Sequence, residues 1–346
     1  MFERSAVVTA QSIMELCELA ETVQGDPYIM CVQNLQLPLA LLSIYAMWQI
    51  TRSVRYKKVV GIASPALRTL FLIIRISFYL RAIFAFSLYV YTMLRVNFYE
   101  RPCHVAWTVG ECITVRIPNY FALFTVCLTH VALMVDRLGV TFYRRHYEGG
   151  WTAAFFYSTA IVSLSAVSCY HIYGQEDFRQ LIFACITSSS AAQYKLVQVM
   201  ITLLVLDLIT AFGDTVAFYE NRKRFFNKIN YYEFYSLDKS MDLRENRMSI
   251  RVVLPMSIIH LSLTLPLVAS FPIGRQLEWH QPTSILLYVE SISLIQSLYF
   301  LMSPIILSLC YVCNEEGARD EWLGTNQQSH ADEHFRQLQS QLKLQG

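Results

Sequence analysis

The chain has 346 residues, of which 54% are apolar and only 16% charged. Soluble domains carry about 25% charge, so the composition excludes an ordinary soluble domain. The net charge of +2 points to no nucleic-acid partner, and its distribution says more than its sum.

The first stretch, Ser5–Gln24, does not read as a signal peptide. It lacks a basic start, and Glu15, Glu18 and Glu21 interrupt it. The first apolar run must then act as its own signal anchor. Seven such runs follow, at about Tyr28–Ile50, Leu67–Leu94, Cys112–Leu138, Trp151–Tyr173, Gln193–Tyr219, Ser249–Ile273 and Thr283–Leu309. A bilayer core of about 30 Å takes roughly 20 apolar residues of helix. Backbone polar groups must pair within each segment in hydrocarbon, so each run is expected to be a helix. The expectation is an all-α bundle of seven transmembrane helices. Residues 1–27 form an N-terminal segment, 28–313 the membrane domain, and 314–346 a mostly disordered tail with a candidate amphipathic helix at His334–Leu344.

Ionisable residues inside spans are costly and are functional candidates by default. Span two carries Arg68, Arg75 and Arg81; the first two share a face and Arg81 does not. Span three begins at Cys112 and ends in Val135-Asp136-Arg137-Leu138. An adjacent acid and base at a membrane face can hold each other in a closed bundle and release the arginine on opening. The other reading is a positive flank anchoring the helix end. Counting back from Arg137 by three and four gives Met134, His130, Cys127, Leu123 and Tyr120 on one stripe, taken to face the bundle, with Asn119 beside it. Span five carries Asp207 and Asp214 on one stripe, span six His260, and span seven Glu290. Arg81–Glu290 and Asp214–Arg251 are the candidate ion pairs, with static structural pairing as the alternative role. Ser291, Gln296 and Ser297 offer hydrogen bonds from span seven.

Five of the nine cysteines fall on one side: Cys17, Cys31, Cys103, Cys112 and Cys185. Cys112 and Cys185 are the candidate disulfide, which would pin the loop between spans four and five over the bundle mouth. Free thiols, or Cys103 in the partner role, stay open, and Cys103 could pair with Cys17 or Cys31. Cys310 and Cys313, just past span seven, suit palmitoylation. There is no Asn-X-Ser/Thr sequon.

Lys and Arg counts set the orientation. With the N-terminus outside, the inner loops and tail hold eighteen of the 28 basic residues and the outer side six. That favours N-terminus outside and C-terminus inside. The third inner loop, Glu220–Met248, opens with the basic extension Arg222, Lys223 and Arg224.

Cys112 and Arg137 are 25 residues apart, about 37 Å of helix, and so mark opposite membrane faces. This arrangement resembles the third helix of rhodopsin-like G-protein-coupled receptors. That resemblance implies a cysteine anchoring the second outer loop and an arginine engaging a heterotrimeric G protein. It is partial: Ser303-Pro304-Ile305-Ile306-Leu307 keeps only the proline of the span-seven motif, Pro255, Pro266 and Pro272 lack the usual preceding Cys-Trp, and span two has no aspartate. The chain resembles more closely the nematode serpentine chemoreceptors of the Sra/Srab type. The matching pieces are Pro102-Cys103, Cys112, Asp136-Arg137 followed by Tyr147-Glu148, and Tyr235-Ser236-Leu237-Asp238-Lys239 followed by Leu243-Arg244-Glu245-Asn246. Asp136 stands where that group commonly has Glu, and Met241-Asp242 replaces a usual Tyr-Gln.

The resemblance implies a multi-pass plasma-membrane chemoreceptor of sensory neurons, working with a small-molecule ligand and a G protein. Asn119, Tyr120, Leu123, Glu290 and Gln296 are the pocket candidates. Receptors for amines place an aspartate near Asn119, whose neutrality disfavours an amine, and span seven has no lysine for a retinal Schiff base. An apolar, tyrosine-lined cavity suits a small uncharged odorant or pheromone. No hydrolase, metal or phosphate-loop motif is present, the eight histidines are scattered, and neither enzyme activity, metal nor cofactor is expected. A seven-span cation channel with the N-terminus inside is the rival. The charge count opposes it. A transporter would show repeats and glycine-rich broken helices, against twelve glycines here.

Overall fold

Proline and a capping side chain start the first two long helices, and a reciprocal cap starts the third. Asp26 accepts from the Tyr28 and Ile29 amides at 2.8 and 3.4 Å ahead of Pro27. Ser64 accepts from the Leu67 amide ahead of Pro65. Thr108 and Glu111 cap each other: the Glu111 amide donates to Thr108 Oγ1, and the Thr108 amide to Glu111 Oε2. Side-chain oxygens thereby satisfy donors that a helix start leaves orphaned.

The computed structural model describes residues 10–53, 64–100, 102–142, 150–182, 185, 190–229, 253–262, 264–266 and 293–306. In chain order the helices are α1 (Ala10–Gln24), α2 (Pro27–Arg52), α3 (Pro65–Phe98), α4 (Val109–Phe142), α5 (Trp151–Tyr173) and α6 (Ser190–Ile229). Two shorter apolar helices follow, α7 (Val253–Pro266) and α8 (Ser293–Ile306). Helices α2 to α6 each contain a stretch long and apolar enough to cross a membrane. With α7 and α8 they account for all seven apolar runs. Four are longer than the runs themselves, at 26, 34, 34 and 40 residues for α2, α3, α4 and α6. Polar first and last turns add no hydropathy, so the apolar pattern understates helix length.

Helix α4 is the axis. In its most apolar window 72% of residues are buried, against 22–44% for the other four long helices. It packs on α3, α5 and α6. One continuous cluster of buried side chains joins Met47 of α2, Phe78 of α3, Phe124 and Leu133 of α4, Ile161 of α5, Met200 of α6, Val253 of α7 and Phe300 of α8. The outward faces are also apolar: Phe155, Phe156 and Tyr170 on α5 and Ile201, Leu208 and Phe212 on α6 are exposed. Bands of that size would be untenable in water and are what a lipid-facing surface needs.

At one end of the bundle the chain is stapled twice. Cys17 in α1 is bonded to Cys103 in the 3-10 turn Pro102–His104, and Cys112 in α4 to Cys185. Cys31 is a free thiol. Two short strands, β1 (Trp107–Thr108) and β2 (Leu181–Ile182), pair antiparallel beside the second bridge. The Val109 and Gly110 amides add bonds to Gln180 and Phe178. A Cβ at Gly110 would lie 3.1 Å from the Phe178 carbonyl, so glycine lets the loop approach α4 closely. Arg95 at the end of α3 ties this cap together, reaching Glu111 at 2.8 Å and lying over the Tyr91 and Trp107 rings.

Candidate functional site

Polar side chains meet along α4 at four depths: Cys112, Asn119, Cys127–His130 and Asp136–Arg137. Each depth is seven to nine residues below the last, roughly two helical turns.

The first is the Cys112–Cys185 bridge. Trp107 packs against it, buried.

At the second, Pro118 lies within α4 and supplies no amide for the Thr114 carbonyl. Just past it, Asn119 turns inward and is buried; its Nδ2 donates to the Val115 carbonyl and its Oδ1 accepts from Arg81 Nη1 at 2.6 Å. Arg81 Nη2 donates to Gln296 Oε1 at 2.8 Å. The guanidinium lies 5.4 Å from the Phe300 ring centroid, and its Nε has no hydrogen-bond partner among the described residues. α3, α4 and α8 thus converge on a cation held by two neutral amides. Among the described residues the Arg81 Nη groups go to Asn119 and Gln296; Glu290, the expected partner, lies outside the described residues. Arg68 is exposed and Arg75 half-buried, so of the three span-two arginines only Arg81 enters the bundle. Tyr120 packs on Phe124 and Tyr173. Leu123 sits in the apolar core. Ser297 donates to the Ser293 carbonyl, and Ser291 is outside the described residues. The neutral Asn119, from which an uncharged ligand was expected, is only part of this level. The adjacent guanidinium opposes a cationic ligand more strongly still and offers a donor to an oxygen acceptor.

The third depth was not foreseen. Histidines scattered in sequence gather here with a cysteine and an acid, which corrects the expectation of no such cluster. His260 Nε2 of α7 lies 3.1 Å from Asp207 Oδ2 of α6 and 3.2 Å from Cys127 Sγ of α4. His130 stacks on His260 with centroids 4.9 Å apart, and the Tyr299 ring meets His260 edge-on. All five side chains are buried.

At the fourth, Arg137 and Asp136 are both buried and paired through Arg137 Nη2 and, at 3.1 Å, Nε, all on Asp136 Oδ2. Asp214 of α6 lies within electrostatic reach of Arg137 and accepts from Ser257 of α7 at 2.6 Å. Thr141 Oγ1 donates to the Arg137 carbonyl and accepts from Asn221 Nδ2 of α6 at 2.9 Å. Among the described residues Asp214 meets Ser257 and Arg137; Arg251, its expected partner, lies outside them. Arg222 and Lys223, directly after Asn221 in α6, are exposed. Arg224 continues that helix. Thr141, Ser257 and Asn221 were missed because isolated hydroxyls and amides carry no periodic signal. Asn221 beside the basic run was the one visible hint.

The loop motifs at Tyr147-Glu148 and Tyr235 to Asn246, and Cys310 and Cys313, lie outside the described residues. A family profile described as serpentine type 7TM GPCR receptor class ab chemoreceptor matches residues 15–343. No curated protein sequence matches the chain.

Proposed function

The chain belongs to the serpentine class ab family of seven-transmembrane chemoreceptors, a multi-pass protein of the plasma membrane, and on that premise we propose how it senses and signals. The N-terminus and the two disulfides face outward, and the Asp136–Arg137 end faces the cytoplasm. A small ligand without positive charge binds in the disulfide-capped half, at the level of Asn119 and Gln296, and gives an oxygen acceptor to Arg81 Nε, which has no hydrogen-bond partner among the described residues. Tyr120 lines the approach, and Glu290 is a further candidate on the same apolar run as Gln296.

The observation that carries the mechanism is the buried Asp136–Arg137 pair and its ties to two other helices. Asn221 couples it to α6 through Thr141, and Asp214 couples α6 to α7 through Ser257. Closed, this network masks the guanidinium. Separating α6 and α7 from α4 breaks it, frees Arg137 and presents the basic end of α6, with Arg222, Lys223 and Arg224, to a heterotrimeric G protein. A ligand drives the change only through its higher affinity for the open arrangement.

Substitutions test this without a known ligand. Asp136→Asn removes the charge that holds Arg137, so basal nucleotide exchange on a co-expressed G protein should rise. Adding Arg137→Ala should return it to background at equal surface expression. An Asp136→Asn receptor that reaches the surface with no rise, or a double variant that stays active, contradicts the switch.

A further inference from the structure

The cluster at the third depth is unused by the mechanism above, and its geometry is that of a metal site. Cys127, Asp207 and His260 come from α4, α6 and α7, are all buried, and bring their donor atoms within 4.8 Å of one another. We propose that these three side chains bind one zinc ion, or a first-row ion of like preference, in the core of the bundle.

Zn²⁺ takes thiolate at about 2.3 Å and imidazole or carboxylate at about 2.0–2.2 Å. Ligand atoms around such an ion stand roughly 3–4 Å apart in a tetrahedral arrangement. The Cys127 Sγ to His260 Nε2 and Asp207 Oδ2 to His260 Nε2 separations, 3.2 and 3.1 Å, fall in or at the edge of that range without any movement of the helices. A mixed sulfur, nitrogen and oxygen set suits zinc. Three protein ligands leave the fourth position to water.

The polar atoms here also lack other work. Neither Asp207 oxygen has a hydrogen-bond partner of good geometry among the described residues. A buried carboxylate left so is costly in a low-dielectric core. A divalent ion with one thiolate and one carboxylate sums to zero charge, which removes that cost. On binding, the Cys127 thiol gives up its proton to solvent, Sγ and Asp207 Oδ2 each donate a pair to the ion, and His260 donates from Nε2 with its proton kept on Nδ1. His130, three residues from Cys127 and stacked on His260, backs the site.

Because the ligands lie on three helices, the ion clamps α4, α6 and α7 and so favours the closed bundle. That consequence rests on the activation reading above, whereas the site itself does not.

Cobalt is the probe. The full chain, purified in detergent with an affinity tag free of histidine and cysteine, is titrated with Co²⁺. The expected result is one ion per chain, a thiolate-to-cobalt charge-transfer band and intense visible bands of four-coordinate cobalt. Cys127→Ser should abolish the charge-transfer band, and Asp207→Asn should weaken binding at least about tenfold. Cys310→Ser/Cys313→Ser, which removes the other thiols at metal-like spacing, should leave the spectrum intact. Zinc should raise the thermal midpoint of the wild-type protein and a chelator should lower it, which decides the matter should Cys127→Ser fail to fold. No charge-transfer band in the wild type, a band that survives in folded Cys127→Ser or disappears in Cys310→Ser/Cys313→Ser, or a midpoint indifferent to zinc and chelator each overturns the proposal. Those outcomes leave a buried Cys–His–Asp cluster without an ion and say nothing against the Arg137 switch.

Discussion

In the proposed switch, a single amide, Asn221, decides how firmly the Asp136–Arg137 end is closed. It donates to Thr141 Oγ1, which itself donates to the Arg137 carbonyl. One such bond is worth about 1 kcal/mol, or about fivefold in an equilibrium. Asn221→Ala should therefore raise basal G-protein exchange about fivefold at constant surface level, in the direction of Asp136→Asn but more weakly. An unchanged basal rate would take Asn221 out of the latch. At this scale the sequence was partly legible. An acid and a base side by side at a span end are visible without a structure. The partners of Arg81 were not, because helical spacing gives the face of a residue but not the depth at which a neighbouring helix meets it. Gln296, six residues past Glu290 in the sequence, shares Arg81 with Asn119. The guanidinium costs about 3 kcal/mol at mid-membrane on insertion scales, and amide partners offset part of that.

Between elements, the close approach of α4 and α6 depends on Gly213. A Cβ there would lie 2.7 Å from Met134 Cγ and Sδ. Gly213→Val should push the helices apart and lower stability by about 1–3 kcal/mol, read as a lower thermal midpoint in detergent. Met134→Ala in the same chain should restore much of the loss, because it removes the clashing atoms. A double variant no better than the sum of its parts would place the strain elsewhere. The other element-level feature is α1, which was read only as a segment that is not a signal peptide. Its signal was present: Cys17, Ala20 and Val23 recur every three residues and all three are buried, while Glu15, Glu18 and Glu21 each precede one of them with the same period. The acids were read as interruptions, although they are the polar face of an amphipathic helix. Breaking the Cys17–Cys103 bond with Cys17→Ser should loosen α1 and expose residues near Gly25 to limited proteolysis, with the Cys112–Cys185 bridge intact. Protection equal to wild type would show that packing alone holds α1.

Over the whole molecule, seven apolar runs were legible because hydrocarbon imposes one length and one backbone solution on every span. The order of polar layers down α4 was legible only at its ends, where Cys112 and Asp136-Arg137 lie within a single helix. The middle layers are assembled across helices distant in sequence. His260 is 133 residues from Cys127, and no local pattern encodes such a meeting. The proposed function gives the molecule a direction: capped sensing end, buried polar core, latch. That direction is the central claim, since an arginine switch facing away from the cytoplasm could not engage a G protein. Epitope tags on both termini, stained in intact and then permeabilised cells, test it most directly. The account predicts N-terminal staining of intact cells and C-terminal staining only after permeabilisation. The reverse pattern would put Asp136-Arg137 outside the cell and favour a channel of inverted topology.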